Sequence, residues 1–215
     1  MHNDRNFVLL QAKDSEPESK HMLSKKTDTM KESWKSKGYA DEPMPEGVNL
    51  KEAIRELCKE KNAIILAHYY TEGDVQDVAD FVGDSLGLAR QAAKTDARLI
   101  VMCGVHFMGE TNASLCPGKK VVVPDLNATC SLAESCPADA FKKFVEAHPG
   151  HTVVSYVNTS AAVKALTDVV VTSGNARRII ESLPKEEKII FGPDRNLGNY
   201  LNSVCGRNMV LWDGA

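Results

Sequence analysis

The chain has 215 residues, 43% hydrophobic and 26% charged, with a formal net charge of −3 at neutral pH. That balance suits one large or two small globular domains, and it gives no reason to expect nucleic-acid or anionic-membrane binding. No apolar run approaches the roughly 20 residues of a spanning helix, and MHNDRNFVLLQAKDSEPESK lacks a signal-peptide core, so a cytoplasmic protein is expected.

Residues 1–45 are polar and without sustained periodicity, and a disordered tail is expected there. NLKEAIRELCKEK (49–61) predicts a helix with Leu50, Ile54, Leu57 and Cys58 on one face. From Asn62 onward short apolar runs alternate with helical segments. AIILAHYY (63–70) predicts a strand, VQDVADFV and SLGLARQAAKT two helices, RLIVMCG (98–104) a strand, VHFMGETNASL a helix and KKVVVPD (119–125) a strand. After the helix ADAFKKFVEAH the order begins again. TVVSYVN (152–158), DVVVTSG (168–174), EKIIFGPD (187–194) and MVLWDGA (209–215) predict strands, with SAAVKALT, NARRIIESL and NLGNYLNSVC helical between them.

The pattern predicts an internal repeat, with Ser114–Asp125 matched to Ser182–Asp194 through a Ser-Leu ending, a lysine-led strand and a closing Pro-Asp. The fold class expected is α/β: repeated three-layer α/β/α domains with parallel sheets and right-handed crossovers, the first over 46–130 and the second over 131–215.

Ligands of parallel sheets gather at the carboxyl ends of strands, beside helix N-termini. The residues there are His68, Tyr69 and Tyr70, then Asp84 and Ser85, and in the second unit Tyr156, Asn158, Thr159, Ser160, Thr172, Ser173 and Asn175. Helix capping is the competing reading for Ser85, Thr159, Ser160 and Asn175. His68 is a poor core filler and can exchange a proton near neutral pH; Tyr70 adds a phenolic donor. The six cysteines (Cys58, Cys103, Cys116, Cys130, Cys136, Cys205) lack a CxxC or zinc spacing, and disulfides are not expected. On residues alone, the chain reads as a phosphate- or carboxylate-binding α/β enzyme of unspecified reaction.

The motifs AHYY, GDSL, GVxFMxET, P-D-L-x-A-x-C-S, Y-V-N-T-S-A-x-V-K and P-D-x-x-L-G-x-Y occur together and in order over residues 46–215. In this the chain resembles bacterial quinolinate synthases. The resemblance implies condensation of iminoaspartate with dihydroxyacetone phosphate to quinolinate, with loss of phosphate and water, in NAD biosynthesis. It implies three similar α/β domains about a pseudo-threefold axis, each giving one cysteine to a [4Fe–4S] cluster with one open iron. By motif match Cys130 is the cluster ligand, at a loop-to-helix junction that suits a thiolate. His68 and Tyr70 are implied as catalytic. Ser85 and Ser173 hold phosphate or carboxylate oxygens, and Tyr156 and Asn158 contact the dicarboxylate or the cyclising intermediate. Phe107 and Met108 read either as a wall near the cluster or as plain packing, and the other cysteines as structural. An aspartate-oxidising enzyme is implied as the source of iminoaspartate.

In such enzymes W-x-G-A is followed by a second cluster cysteine, whereas here Trp212-Asp213-Gly214-Ala215 closes the sequence. The third domain and two thiolates are then missing, and a chain truncated in this way is expected to be inactive alone. A shortened, non-catalytic relative binding a phosphorylated or dicarboxylic metabolite is the alternative. The diphthamide-synthesis enzymes, also built around one cysteine per domain, are a third reading, against which the AHYY and YVNTSA strings argue.

Overall fold

The computed structural model describes residues 46–214, and the tail expected at 1–45 lies outside them. Helix α1 (Leu50–Lys61) starts where Asn49 Oδ1 accepts the Glu52 N–H. It ends where Asn62 turns left-handed (φ 49°), with Lys59 and Lys61 placed to complement the C-terminal end of its dipole. There follow β1 (Ala63–His68), α2 (Gly73–Val78), β2 (Phe81–Gly83), α3 (Ser85–Lys94), β3 (Leu99–Cys103), α4 (His106–Leu115) and β4 (Lys120–Val122). A short α5 (Ser131–Glu134) leads to α6 (Ala138–Glu146), β5 (Thr152–Tyr156), α7 (Ala161–Lys164), β6 (Val169–Val171), α8 (Ala176–Ser182), β7 (Ile189–Gly192), α9 (Arg195–Cys205) and β8 (Val210–Leu211).

The strands form two four-stranded parallel sheets, ordered β2-β1-β3-β4 and β6-β5-β7-β8. Each is covered on both faces, which is why the central strands are continuous apolar runs rather than alternating ones. In the first, Leu66, Ile100 and Met102 pack with Leu88 and Ala92 of α3 and Phe107 and Met108 of α4. On the other face Ile65, Ala67, Val101 and Cys103 pack with Cys58 of α1 and Val78 of α2. The second sheet repeats this. Val154, Val171 and Phe191 meet Ile180 of α8 and Leu201 of α9, while Val153 and Ile190 meet Phe141 of α6 and Val163 of α7. Cys130 and Ala133 pack against the first core and Cys136 lies within the second, so the chain crosses over between Ala133 and Cys136.

Two expectations need correction. VQDVADFV is not one helix. It breaks at Ala79, and Phe81–Gly83 is an edge strand beside β1. Val75, Val78 and Val82 mimic a helical face, but Asp80 stops it by accepting the Ile65 N–H at 2.8 Å while its own N–H donates to Ile65 O at 2.9 Å. The repeat is real, but its alignment is different. Asp168 makes the same two bonds to Val153, at 2.8 and 2.9 Å. The β1–β2 part of the first unit and the β5–β6 part of the second are therefore related by a shift of 88 positions (65 to 153, 80 to 168), while the strand register relates β3 to β7 by 89 (101 to 190). Sheet order then makes β3 equivalent to β7 and β4 to β8, so Ser114–Asp125 does not correspond to Ser182–Asp194. Pro-Asp ends two inequivalent strands.

Candidate active site

His68 is the last residue of β1, pairs in register with Gly83, and stands beside the turn that starts α3. Tyr156 is the last residue of β5 and pairs with Val171 before the turn to α8. The shift of 88 relates His68 to Tyr156, Tyr70 to Asn158 and Ser85 to Ser173 (68 to 156, 70 to 158, 85 to 173). Six of the seven candidate residues are thus three duplicated positions, all at carboxyl strand ends.

His68 is buried, with 6% of the residue's surface exposed. Its Nδ1 accepts the Tyr70 backbone N–H at 3.3 Å, which in the neutral ring assigns the proton to Nε2. Burial lowers its pKa below the ordinary 6.5, partly opposed by the Asp84 carboxylate. Tyr69 stacks on the ring at 4.5 Å and Tyr70 lies tilted at 4.7 Å. Tyr70 is 82% exposed, with its side chain open to solvent. The Tyr69 pKa is raised, first by a hydrogen bond with Tyr70, and also by the charges of Tyr70, Asp84 and Tyr156. Tyr156 of the second unit thus lies within electrostatic reach of the first unit's aromatic cluster.

Asp84, rather than Ser85, caps α3, its Oδ1 accepting the Gly87 N–H at 2.6 Å. Capping therefore does not occupy the half-buried Ser85, the first helical residue. Ser160 does cap α7, accepting the Val163 N–H at 3.3 Å. Thr159 is buried and donates to Tyr156 O at 3.2 Å. Asn175 stands before α8 with its Oδ1 accepting the Thr172 N–H at 2.7 Å, and the exposed Ser173 sits in that turn. Ser85 and Ser173 share the strand-end edges with the other candidates, but no hydrogen bond joins them to those residues among the described contacts.

Cys130 precedes α5 and is half-buried, and its Sγ accepts from Asn158 Nδ2 at 3.5 Å, a contact across the two units. Cys58, Cys103, Cys116 and Cys136 are buried; burial pushes the Cys103 and Cys136 thiols up to about 12. Among the described residues no group of three or more His, Cys, Asp or Glu side chains could hold a metal ion. Phe107 and Met108 are core residues of the first unit.

Sequence reasoning passed over a second set of residues. Lys164 Nζ stands 5.2 Å from the Phe107 ring centroid and donates to Val157 O at 2.9 Å and to Thr159 O. Glu110 Oε2 accepts the Ala161 N–H at 2.9 Å. Together they fasten α4 of the first unit to the loop after β5. The signal was present in YVNTSAAVK, whose lysine the capping and motif arguments left unused. A cavity of about 380 Å³, lined by Arg55, Cys58, Lys59, Asn62, Ala63, Val78 and Asp80, opens at the amino end of β1. That is the wrong end of a parallel sheet for its chemistry.

The chain is thus a tandem parallel α/β protein whose first sheet presents histidine, tyrosine and serine at its carboxyl end (His68, Tyr70, Ser85) and whose second presents tyrosine, asparagine and serine (Tyr156, Asn158, Ser173). Comparison with known proteins is specific. Residues 52–215 match the family described as Quinolinate synthetase A protein, and the chain belongs to that family. It is 60% identical over 163 residues to the quinolinate synthase of Nostoc punctiforme, an alignment covering 76% of this chain and 50% of that protein. The quinolinate synthase of Chloroherpeton thalassium is 56% identical over 168 residues, covering 78% of this chain and 52% of the relative. That of Synechocystis is 57% identical over 163 residues, covering 76% and 51%. The chain spans about half the length of the curated relatives it matches. Among the described residues no helix is long and apolar enough to cross a membrane.

Proposed function

We propose that this chain carries two of the three walls of a quinolinate synthase active site, condensing iminoaspartate with dihydroxyacetone phosphate in the cytoplasm. The carrying observation is the duplicated placement of His68 with Tyr156 and Tyr70 with Asn158 at the carboxyl ends of two parallel sheets, joined through Cys130. In this reading His68 Nε2 polarises a carbonyl and exchanges a proton. Its lowered pKa keeps it neutral near pH 7, so the ring can donate at Nε2 and accept after transfer. Tyr70 O–H serves as proton donor from the open side. Ser85 and Ser173 donate to phosphate or carboxylate oxygens at the starts of the helices that follow β2 and β6. The Tyr156 hydroxyl and the remaining Nδ2 hydrogen of Asn158 donate to the dicarboxylate and orient it.

Cys130 fits as one ligand of a [4Fe–4S] cluster: it is accessible, stands at a loop-to-helix junction, and its sulfur already accepts an N–H. A bound cluster would supply Lewis-acid assistance to dehydration. The other cysteines do not complete the set, so its further ligands would come from outside the described residues. The 215-residue chain alone is then expected to be inactive, and its iminoaspartate would come from an aspartate-oxidising partner.

The test is a chimera in which residues 52–215 replace the aligned half of the Nostoc punctiforme quinolinate synthase. The chimera should form quinolinate, and His68→Ala should reduce kcat by roughly 100-fold or more, the usual scale for removing a general acid–base. A chimera that holds its cluster yet makes no quinolinate would sink the reading and favour a non-catalytic relative that binds a phosphorylated or dicarboxylic metabolite.

A further inference from the structure

The 88-residue shift extends to a pair of side chains with no role in the scheme above. In the first unit Gln76 of α2 donates through Nε2 to Tyr69 O at 3.1 Å and to Thr71 O at 2.7 Å. In the second, Lys164 of α7 donates through Nζ to Val157 O at 2.9 Å and to Thr159 O. These are the same three positions in each unit (76 to 164, 69 to 157, 71 to 159). The hydroxyls repeat as well. Thr71 Oγ1 donates to His68 O at 2.8 Å and Thr159 Oγ1 to Tyr156 O at 3.2 Å. Even the strand-end amides agree, with Tyr69 N bonded to Gly83 O at 3.2 Å and Val157 N to Val171 O at 2.8 Å.

The geometry points to a duplicated clamp: Gln76 and Lys164 are positioning residues that set the loops carrying the His68–Tyr70 and Tyr156–Asn158 pairs. The physical need is plain. Each loop turns three carbonyls away from the sheet ladder just where the chain presents two side chains to a ligand. A backbone N–H reaches only one of the three (Thr71 N to His68 O at 2.9 Å, Thr159 N to Val157 O at 2.8 Å), and the others would lack partners without side-chain donors. One short side chain from the next helix gathers two of those carbonyls, and the threonine takes the third. An amide and an ammonium do this equally well because each offers at least two N–H donors. Lys164 does one thing more: its charge lies over Phe107 and near Glu110 of the first unit, so the second clamp also ties the loop to its neighbour. The clamp rests on the proposed function only for why the loops matter; its existence is testable without catalysis.

The test uses the 215-residue chain, with amide exchange followed by NMR at Tyr69, Thr71, Val157 and Thr159. Lys164→Met keeps the length and removes the donors. It should speed exchange at Val157 and Thr159 about tenfold, as expected for losing two hydrogen bonds, and leave Ile100 and Ile190 of the central strands unchanged. Lys164→Gln, which installs the first unit's donor, should hold the loop amides within about threefold of wild type. Gln76→Met should speed exchange at Tyr69 and Thr71, and the His68 ring ¹⁵N shifts should report loss of the single Nε2–H tautomer. If Lys164→Met fails to fold, Gln76→Met carries the same test on the other unit. Methionine variants that exchange like wild type, or a Lys164→Gln variant no better than Lys164→Met, would overturn the clamp. An inert chimera would leave these results untouched and would count against the catalytic reading alone.

Discussion

The ammonium of Lys164 makes a pH-dependent prediction whose size can be worked out. Burial beneath α4 lowers its pKa from an ordinary 10.5 to about 8, opposed by Glu110, the charged group facing it from the first unit. The folded chain therefore releases this proton about 2.5 pH units before the unfolded chain does. Between those two values the unfolded state holds more protons, so raising the pH favours folding. At about 1.4 kcal/mol per pH unit, the gain from pH 7 to pH 10 amounts to roughly 2–3 kcal/mol. Other groups titrate in that range. Cys103 and Cys136, whose thiols are pushed up to about 12, ionise first in the unfolded chain and make wild type less stable as pH rises. They are common to both proteins and cancel in a comparison with Lys164→Met. Urea unfolding of wild type and Lys164→Met in reductant at pH 7, 8, 9 and 10 should show the difference shifting towards wild type by that amount. A difference that stays flat would mean the ammonium is as well solvated in the fold as outside it, and that Lys164 does not lie in the gap between α4 and the loop.

Three further outcomes follow from the packing and the site. Gly109 and Gly198 occupy matched places on α4 and α9, where an added Cβ would lie 2.6 Å from Val123 Cγ1 and 2.7 Å from Leu211 Cδ2. Gly198→Ala gains up to about 1 kcal/mol of helix propensity, but overpacking costs about 1–3 kcal/mol, so thermal unfolding should show a lower Tm. A rise would refute the close approach. In the folded 215-residue chain, mass spectrometry after iodoacetamide treatment should find Cys130 modified before Cys103 and Cys136; anaerobic iron and sulfide should give no four-iron product, and four irons per chain would overturn the single-ligand reading. His68 should titrate below 6.5 by NMR, and Asp84→Asn should lower it further because the carboxylate holds the imidazolium up; an upward shift would remove Asp84 from the site.

The fold was legible where the sheets are buried on both faces. AIIL and LIVM are apolar runs too short for helices, TVVSY holds a shorter one at Val153 and Val154, and each became a central strand. Phe81–Gly83 was not legible, because an edge strand of three residues has no period to display, and its Phe81 and Val82 remain 38% exposed. The strand-end residues stood out because histidine and tyrosine are unusual after an apolar run. Gln76, Lys164 and Glu110 did not stand out, since each bonds to backbone atoms, and backbone partners leave no mark in a sequence. Asp84 was passed over for Ser85 because both residue types cap helices, and only the 2.6 Å bond to Gly87 N separates them.

The failure of the first repeat alignment and the success of the second have one cause. Matching strings such as Ser-Leu and Pro-Asp compares helix ends and turns that follow inequivalent strands, where the same residue types serve in many places. The duplicated contacts instead join polar side chains to backbone atoms: Asp80 and Asp168 to the amides of Ile65 and Val153, Gln76 and Lys164 to the carbonyls after β1 and β5. A parallel sheet fixes those backbone groups in space, so only a donor or acceptor at one position can meet them. Apolar neighbours can exchange volume among themselves, as Leu66 and Val154 do at matched core positions, without disturbing the sheet. The polar contacts to main chain are therefore the part of a duplicated α/β unit that drifts least in geometry while its residue types change, glutamine to lysine included. They also give the two site loops the same side-chain contacts, although Thr71 N bonds His68 O where Thr159 N bonds Val157 O, while the side chains those loops present, His68 and Tyr70 against Tyr156 and Asn158, have become chemically different.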